Sequence, residues 1–186
     1  MADPRFPRVV SLACHDLRTP LATVYGFART LTRAGTLDER SARFVEMIEQ
    51  AAEQMTDLLD QVGVLARIEG DRYEPALVEA DTLELATTDD ERVTATGEGE
   101  TVETDAPALR RALLALAVAA VRHGGVDGVT WTVRGRELSL APVVPEAALI
   151  VTGDDLRDLG SVVGRRVIEA LGGSVALDGE TLVVGL

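Results

Sequence analysis

The chain has 186 residues, 46% of them hydrophobic, which is enough apolar material to bury a sizeable core in one domain or two small ones. A net charge of -13 excludes the concentrated basic surface that nucleic-acid backbones and anionic lipid require. No apolar run reaches the length of a membrane span and no charged-then-apolar leader opens the chain, so a soluble, cytoplasmic protein is expected. The single cysteine, Cys14, offers neither an internal disulfide nor a metal-ligand spacing and is expected to be buried.

In chain order, Val10, Cys14, Leu17, Leu21, Val24, Ala28 and Leu31 recur in steps of four and three, the heptad stripe of a long helix. Gly35 ends the pattern. Asp38 has the short acceptor side chain of an N-cap, and after it Phe44, Ile48, Ala51, Met55, Leu58, Val62 and Leu65 repeat the spacing. Two such helices joined by a few residues predict an antiparallel hairpin over residues 1–70. Val45, Ala52 and Leu59 widen its apolar face beyond a two-helix seam. Pairing of two hairpins into a homodimeric four-helix bundle is therefore expected.

Beyond residue 70 the pattern changes. From Asp71 to Asp105 twelve acidic residues stand against Arg72 and Arg92, which reads as a solvated acidic surface. Residues 106–123 form a helix apolar on nearly all sides, closed by Gly124-Gly125. Val129, Trp131 and Val133 alternate with Thr130, Thr132 and Arg134, then Gly135-Arg136 turns the chain into Leu138 and Leu140, a hairpin with one buried face. Residues 155–171 predict another helix, closed by Gly172-Gly173. Val175, Leu177, Leu182, Val184 and Leu186 around Asp178-Gly179 predict a second hairpin. The fold class is α+β: the helical hairpin over 1–70, then an α/β sandwich over 71–186 with helices on one side of a mostly antiparallel sheet.

His15 directly follows the stripe residue Cys14, which puts its ring at the edge of the bundle, where a partner can reach it. Pro20 lies inside the helical pattern, removes one N–H and crowds the carbonyl of Asp16, at a cost of about 3 kcal/mol against Ala. It reads as shaping the helix beside His15. The run His15-Asp16-Leu17-Arg18-Thr19-Pro20-Leu21 closely resembles the H-box of the dimerisation and phosphotransfer domain of sensor histidine kinases. The resemblance implies phosphorylation of a His15 ring nitrogen and transfer to an aspartate of a response-regulator receiver domain. A neutral imidazole nitrogen suits that role as a nucleophile.

Asp16 matches the acidic residue that in the family hydrogen-bonds or deprotonates the imidazole, and is otherwise an exposed helix carboxylate. Thr19, one turn on, matches the position that orients water for receiver dephosphorylation, or else bonds its own helix backbone. Ala22, Thr23 and Gly26 are small enough for close approach of a partner, which Tyr25 or Phe27 could anchor unless they fill the bundle core.

Residues 109–123 resemble the N-box helix of the kinase ATP-binding domain, ending in the usual basic-His pair. Ala119 and Ala115 stand where the family has asparagines, and a methyl group cannot hold the magnesium that bridges the ATP phosphates. Ala141-Pro142-Val143-Val144-Pro145 stands where an aspartate-glycine element should recognise adenine. Residues 158–173 resemble the last glycine box and the helix behind it, with Asp158 where a phosphate-facing glycine is expected; a carboxylate there repels phosphate. The stretch 140–158 is short for an ATP lid. Arg165 and Arg166 either meet phosphate or are exposed helix charges, and His123 is read as a residue favoured near a helix C-terminus.

The implied protein is a histidine phosphotransferase derived from a histidine kinase, with a degenerate ATP-binding domain. It is expected to have no ATP, cofactor or metal of its own, with Mg2+ coming from a partner receiver. The absence of an input module before Val9 fits a relay role. The alternatives are an active, divergent sensor kinase core and a regulatory docking protein that carries no phosphate.

Overall fold

Gly35 adopts φ +63°, a left-handed conformation that glycine reaches without the Cβ penalty other residues meet, and it ends helix α1 (Phe6–Ala34) where the sequence places the break. The computed structural model describes residues 5–186 and divides between Arg72 and Tyr73 into two units, next to the boundary read from the sequence.

In the first unit α1 pairs with α2 (Glu39–Glu69). Asp38 is the N-cap of α2: its carboxylate accepts from the Arg40 and Ser41 amides at 3.1 and 3.0 Å and from the Ser41 hydroxyl at 2.7 Å. The Ser41 hydroxyl bond, then the Ser41 amide, hold the Asp38 carboxyl below its ordinary value. α1 continues unbroken past Pro20.

The stripe divides into two faces. Cys14, Leu21 and Ala28 are buried, as are Val45, Ala52, Gly63 and Ala66 on α2. Val45 and Ala52, expected to broaden the face, are therefore part of the seam itself. Much of the rest of the expected stripe, Leu17, Val24 and Leu31 with Phe44, Ile48, Met55 and Leu58, lies about half exposed, between 46% and 55%. The physical reason is periodic: a period of 3.6 sets successive stripe positions on two flanks, and one antiparallel neighbour covers only one flank.

The second unit is built on a five-stranded sheet with order β2-β4-β5-β7-β6. Its strands are β2 (Val93–Gly99), β4 (Val129–Gly135), β5 (Glu137–Ala141), β6 (Ser174–Asp178) and β7 (Thr181–Gly185). β2 pairs parallel with β4 and the other pairs are antiparallel. Register places Trp131 opposite Leu140 and Leu138 opposite Val184, so one pleat face carries Val129, Trp131, Val133, Leu138, Leu140, Leu182 and Val184, all buried. A separate two-stranded sheet joins β1 (Val78–Asp81) to β3 (Thr101–Thr104), with the short helix α3 (Thr82–Ala86) after β1.

α4 (Ala106–Gly124) is the central helix, with Leu109, Leu113, Leu116, Ala117 and Ala120 at or near zero exposure. Two further helices pack on it: α5 (Pro145–Val151) and α6 (Leu159–Ala170). α6 starts four residues later than predicted because Asp158 serves as its N-cap rather than lying inside it. α5 is not among the helices predicted from the sequence; Pro145 opens it at the one helical position where a missing N–H costs nothing. Gly164 lets α6 approach α4 closely, since a Cβ there would stand 3.0 Å from the Ala112 carbonyl oxygen.

Candidate functional site

His15 lies on α1 with 76% of its side chain exposed, beside the seam residue Cys14. Its Nδ1 is 3.2 Å from Oδ1 of Asp16, whose side chain is 67% exposed. An ionised carboxylate can only accept, so this contact assigns the ring proton to Nδ1 and leaves the lone pair on Nε2. The Thr23, Thr30, Thr32 and Thr56 hydroxyls each donate to the carbonyl four residues earlier; the Thr19 hydroxyl does not.

A groove runs between the helices next to His15, lined by Arg18, Ala22, Tyr25, Glu53, Thr56 and Asp57. Arg18 Nη2 donates to Asp60 at 2.5 Å, and the Tyr25 hydroxyl donates to Glu53 at 2.9 Å. The Glu53 bond is the main cause that raises the Tyr25 phenol above its ordinary value. Tyr25 thus belongs to the groove, while Phe27 is 68% exposed on another face of α1. The acidic partners Glu53 and Asp60 were missed from the sequence. Their only signal was the polar flank of α2 opposite small residues of α1.

In the second unit, Ala115 and Ala119 serve packing: Ala119 is 1% exposed, and the Ala115 methyl lies 3.3 Å from where a Cβ on Gly160 would be. Asp158 is 7% exposed and is held from three sides. Ser161 N–H reaches its Oδ1 at 3.0 Å, while Arg122 Nη1 and His123 Nε2 lie 3.2 and 3.0 Å from its Oδ2. Burial alone pushes this carboxyl up; the Ser161 amide, the His123 ring and the Arg122 charge outweigh it and hold it below the ordinary value.

His123, read as a simple helix-end residue, is therefore a partner of Asp158, thirty-five residues away in sequence. Arg165 engages Thr152 and Asp154 at 3.0 and 2.6 Å and Glu169 at 2.8 Å, and Arg166 pairs with Glu169. Among the described residues no cluster of His, Cys, Asp and Glu is arranged to hold a metal ion, and no helix is long and apolar enough to cross a membrane.

An exposed histidine lies on a two-helix hairpin that is followed by an α/β sheet unit, and the proteins this chain is similar to are histidine kinases. Residues 8–71 match the His Kinase A (phospho-acceptor) domain. Over 169 residues the chain is 29% identical to the histidine protein kinase DivJ of Caulobacter vibrioides, covering 82% of this chain and 28% of DivJ. The fold is that of solved histidine kinases. The structure of full-length ShkA in complex with AMPPNP matches 96% of this chain and 44% of that one, with a TM-score of 0.66 and 23% identity. The Acinetobacter baumannii histidine kinase AdeS matches 91% of this chain and 94% of that one, with a TM-score of 0.53 and 18% identity. The chain thus spans less than half the length of DivJ and of ShkA.

Proposed function

We propose that the protein is a phosphorelay intermediate in which a receiver aspartyl-phosphate donates to His15 and His15 donates to an aspartate of a second receiver. The observation that carries this reading is the exposed His15 imidazole with Nδ1 against Asp16. In the loading step Nε2 attacks phosphorus, the P–N bond forms, and the P–O bond to the donor aspartate breaks and releases its carboxylate. The Nδ1 proton stays in the bond to Asp16, whose negative charge offsets the positive charge that develops on the ring. Unloading is the reverse reaction with another carboxylate. Magnesium enters with the receiver, and Thr19, one turn along α1, assists water in dephosphorylation.

The hairpins pair as a homodimer through the half-exposed apolar flank, because Leu17, Val24, Leu31, Phe44, Met55 and Leu58 are each about half exposed and water would otherwise wet them.

The residues of the second unit do not fit a magnesium nucleotide. Ala115 and Ala119 present methyl groups to their helix neighbours, and the Asp158 carboxylate engages the basic pair of α4. This supports a chain that receives phosphate from another protein. Incubation with a phosphorylated receiver should place an acid-labile phosphoryl group on the wild type and none on a folded His15→Ala variant; equal labelling of that variant would falsify the assignment. The second reading, an active divergent kinase core, is favoured by the likeness to ShkA, solved with AMPPNP. Saturable MgATP binding in calorimetry, together with autophosphorylation, would establish it in place of the relay.

A further inference from the structure

Three cation-like groups meet at the start of α6. Arg122 and His123 come from the last turn of α4, and the Ser161 amide comes from the first turn of a twelve-residue helix whose dipole is positive at that end. At their meeting point sits a carboxylate. Asp158 is more than nine-tenths buried and meets all three at 3.0 to 3.2 Å.

Two details make this an enclosed arrangement rather than a surface ion pair. Ser161, which supplies the amide, is fully buried. Gly160 sits beneath it, with its absent Cβ only 3.2 Å from Asp158 Oδ1 and 3.3 Å from the Ala115 methyl. Arg122 is 64% exposed, so its guanidinium also faces solvent and can follow an anion arriving from outside. The chain leading into Asp158 is held again by Arg165, through the Thr152 carbonyl and Asp154.

We infer that Asp158 is an anion the chain supplies to itself, filling a site that Arg122, His123 and the α6 amides would otherwise offer to a phosphate or pyrophosphate group. The carboxylate has the charge and the acceptor oxygens such a ligand would bring, and it is covalently present at a concentration no free anion matches. The wild-type corner is therefore closed to external phosphate by occupancy, with the basic groups still in place. This inference deepens the nucleotide-free reading of the second unit and rests on it.

The test titrates inorganic pyrophosphate into the wild type and into Asp158→Asn and Asp158→Gly, followed by calorimetry and by the NMR signals of the Ser161 amide and the His123 ring. Asparagine keeps the N-cap while removing the charge, so this variant is expected to fold; glycine removes the whole group. The wild type should show no saturable response at those two signals. Both variants should bind at least about tenfold more tightly than the wild type, and adding Arg122→Gln to Asp158→Asn should abolish the gain.

A folded Asp158→Asn variant that binds no better than the wild type overturns the inference, as does a wild type that already saturates with pyrophosphate at Ser161 and His123. MgATP titrated into the wild type separates the two failures. Binding that leaves those signals unmoved overturns the nucleotide-free reading alone, whereas binding through them overturns both.

Discussion

Arg18 of α1 donates to Asp60 of α2 across the hairpin seam at 2.5 Å, one turn from His15. Both side chains are about half exposed, so solvent screens the pair and its worth is small. Arg18→Ala should lower hairpin stability by less than about 1 kcal/mol in chemical denaturation, and Asp60→Asn should do the same. A larger loss in either would show that the pair organises more of the seam than its exposure suggests.

Asp16 should matter to chemistry and not to folding. Asp16→Asn keeps the shape but weakens the acceptor for the Nδ1 proton, and the rate of phosphoryl transfer from a phosphorylated receiver should fall about 100-fold or more. Circular dichroism and melting should be unchanged, given the 67% exposure of the side chain. An unchanged transfer rate, measured in rapid-quench experiments, would reduce Asp16 to a surface carboxylate.

The apolar flank predicts assembly. Leu17 and Leu58 are 55% and 48% exposed, and burying a leucine contributes about 1.5–3 kcal/mol. The double variant Leu17→Asp, Leu58→Asp should sediment as a monomer at concentrations where the wild type is a dimer, while each hairpin keeps its helical signal. A wild type that is already monomeric at high concentration would remove the dimer.

Much of this hairpin was legible in the sequence. Gly35 and Asp38 marked the helix ends because a left-handed C-cap and a carboxylate N-cap are local requirements. The split of the stripe was not legible, since steps of three and four name the apolar residues without saying which flank faces α2. In the second unit Trp131, Leu138 and Leu140 announced their strands by alternation, whereas the parallel partner β2 carries Thr94, Thr96 and Glu98, too polar to stand out. The start of α6 was misplaced because Asp158 reads as one more acidic residue until His123 and Arg122 are brought to it by the fold.

Asp158 gives a pH dependence with a definite sign. Its folded carboxyl is held below the ordinary value, so the stabilisation it adds is fully present above the unfolded value, near 4, and is lost as pH falls through the lower folded value. Acid titration followed by Trp131 fluorescence should show the second unit losing stability in that window. Asp158→Asn should flatten the slope there and leave neutral-pH unfolding cooperative; an identical slope in both proteins would mean that another group governs the acid limb.

The contact of α6 with α4 is predicted to be intolerant of volume. Gly164→Val adds atoms where even a Cβ comes within 3.0 Å of the Ala112 carbonyl oxygen, and overpacking of this kind costs about 1–3 kcal/mol. Urea unfolding of the second unit should register the loss, while His15 labelling by a phosphorylated receiver should persist if the hairpin is intact.

His15 and Val24 stand about half a turn apart around α1 at 3.6 residues per turn, one on the groove side and the other on the bare apolar flank. On the proposed reading, self-association and phosphoryl transfer draw on opposite sides of the same rod. Substitutions that retune the choice of receiver can accumulate along Ala22, Tyr25 and Glu53 without altering which chains pair, and a hairpin that changes its mate keeps its chemistry. If the chain is the relay proposed above, partner choice and stoichiometry are independent variables in this helix, a simple physical route by which such proteins diverge without cross-talk.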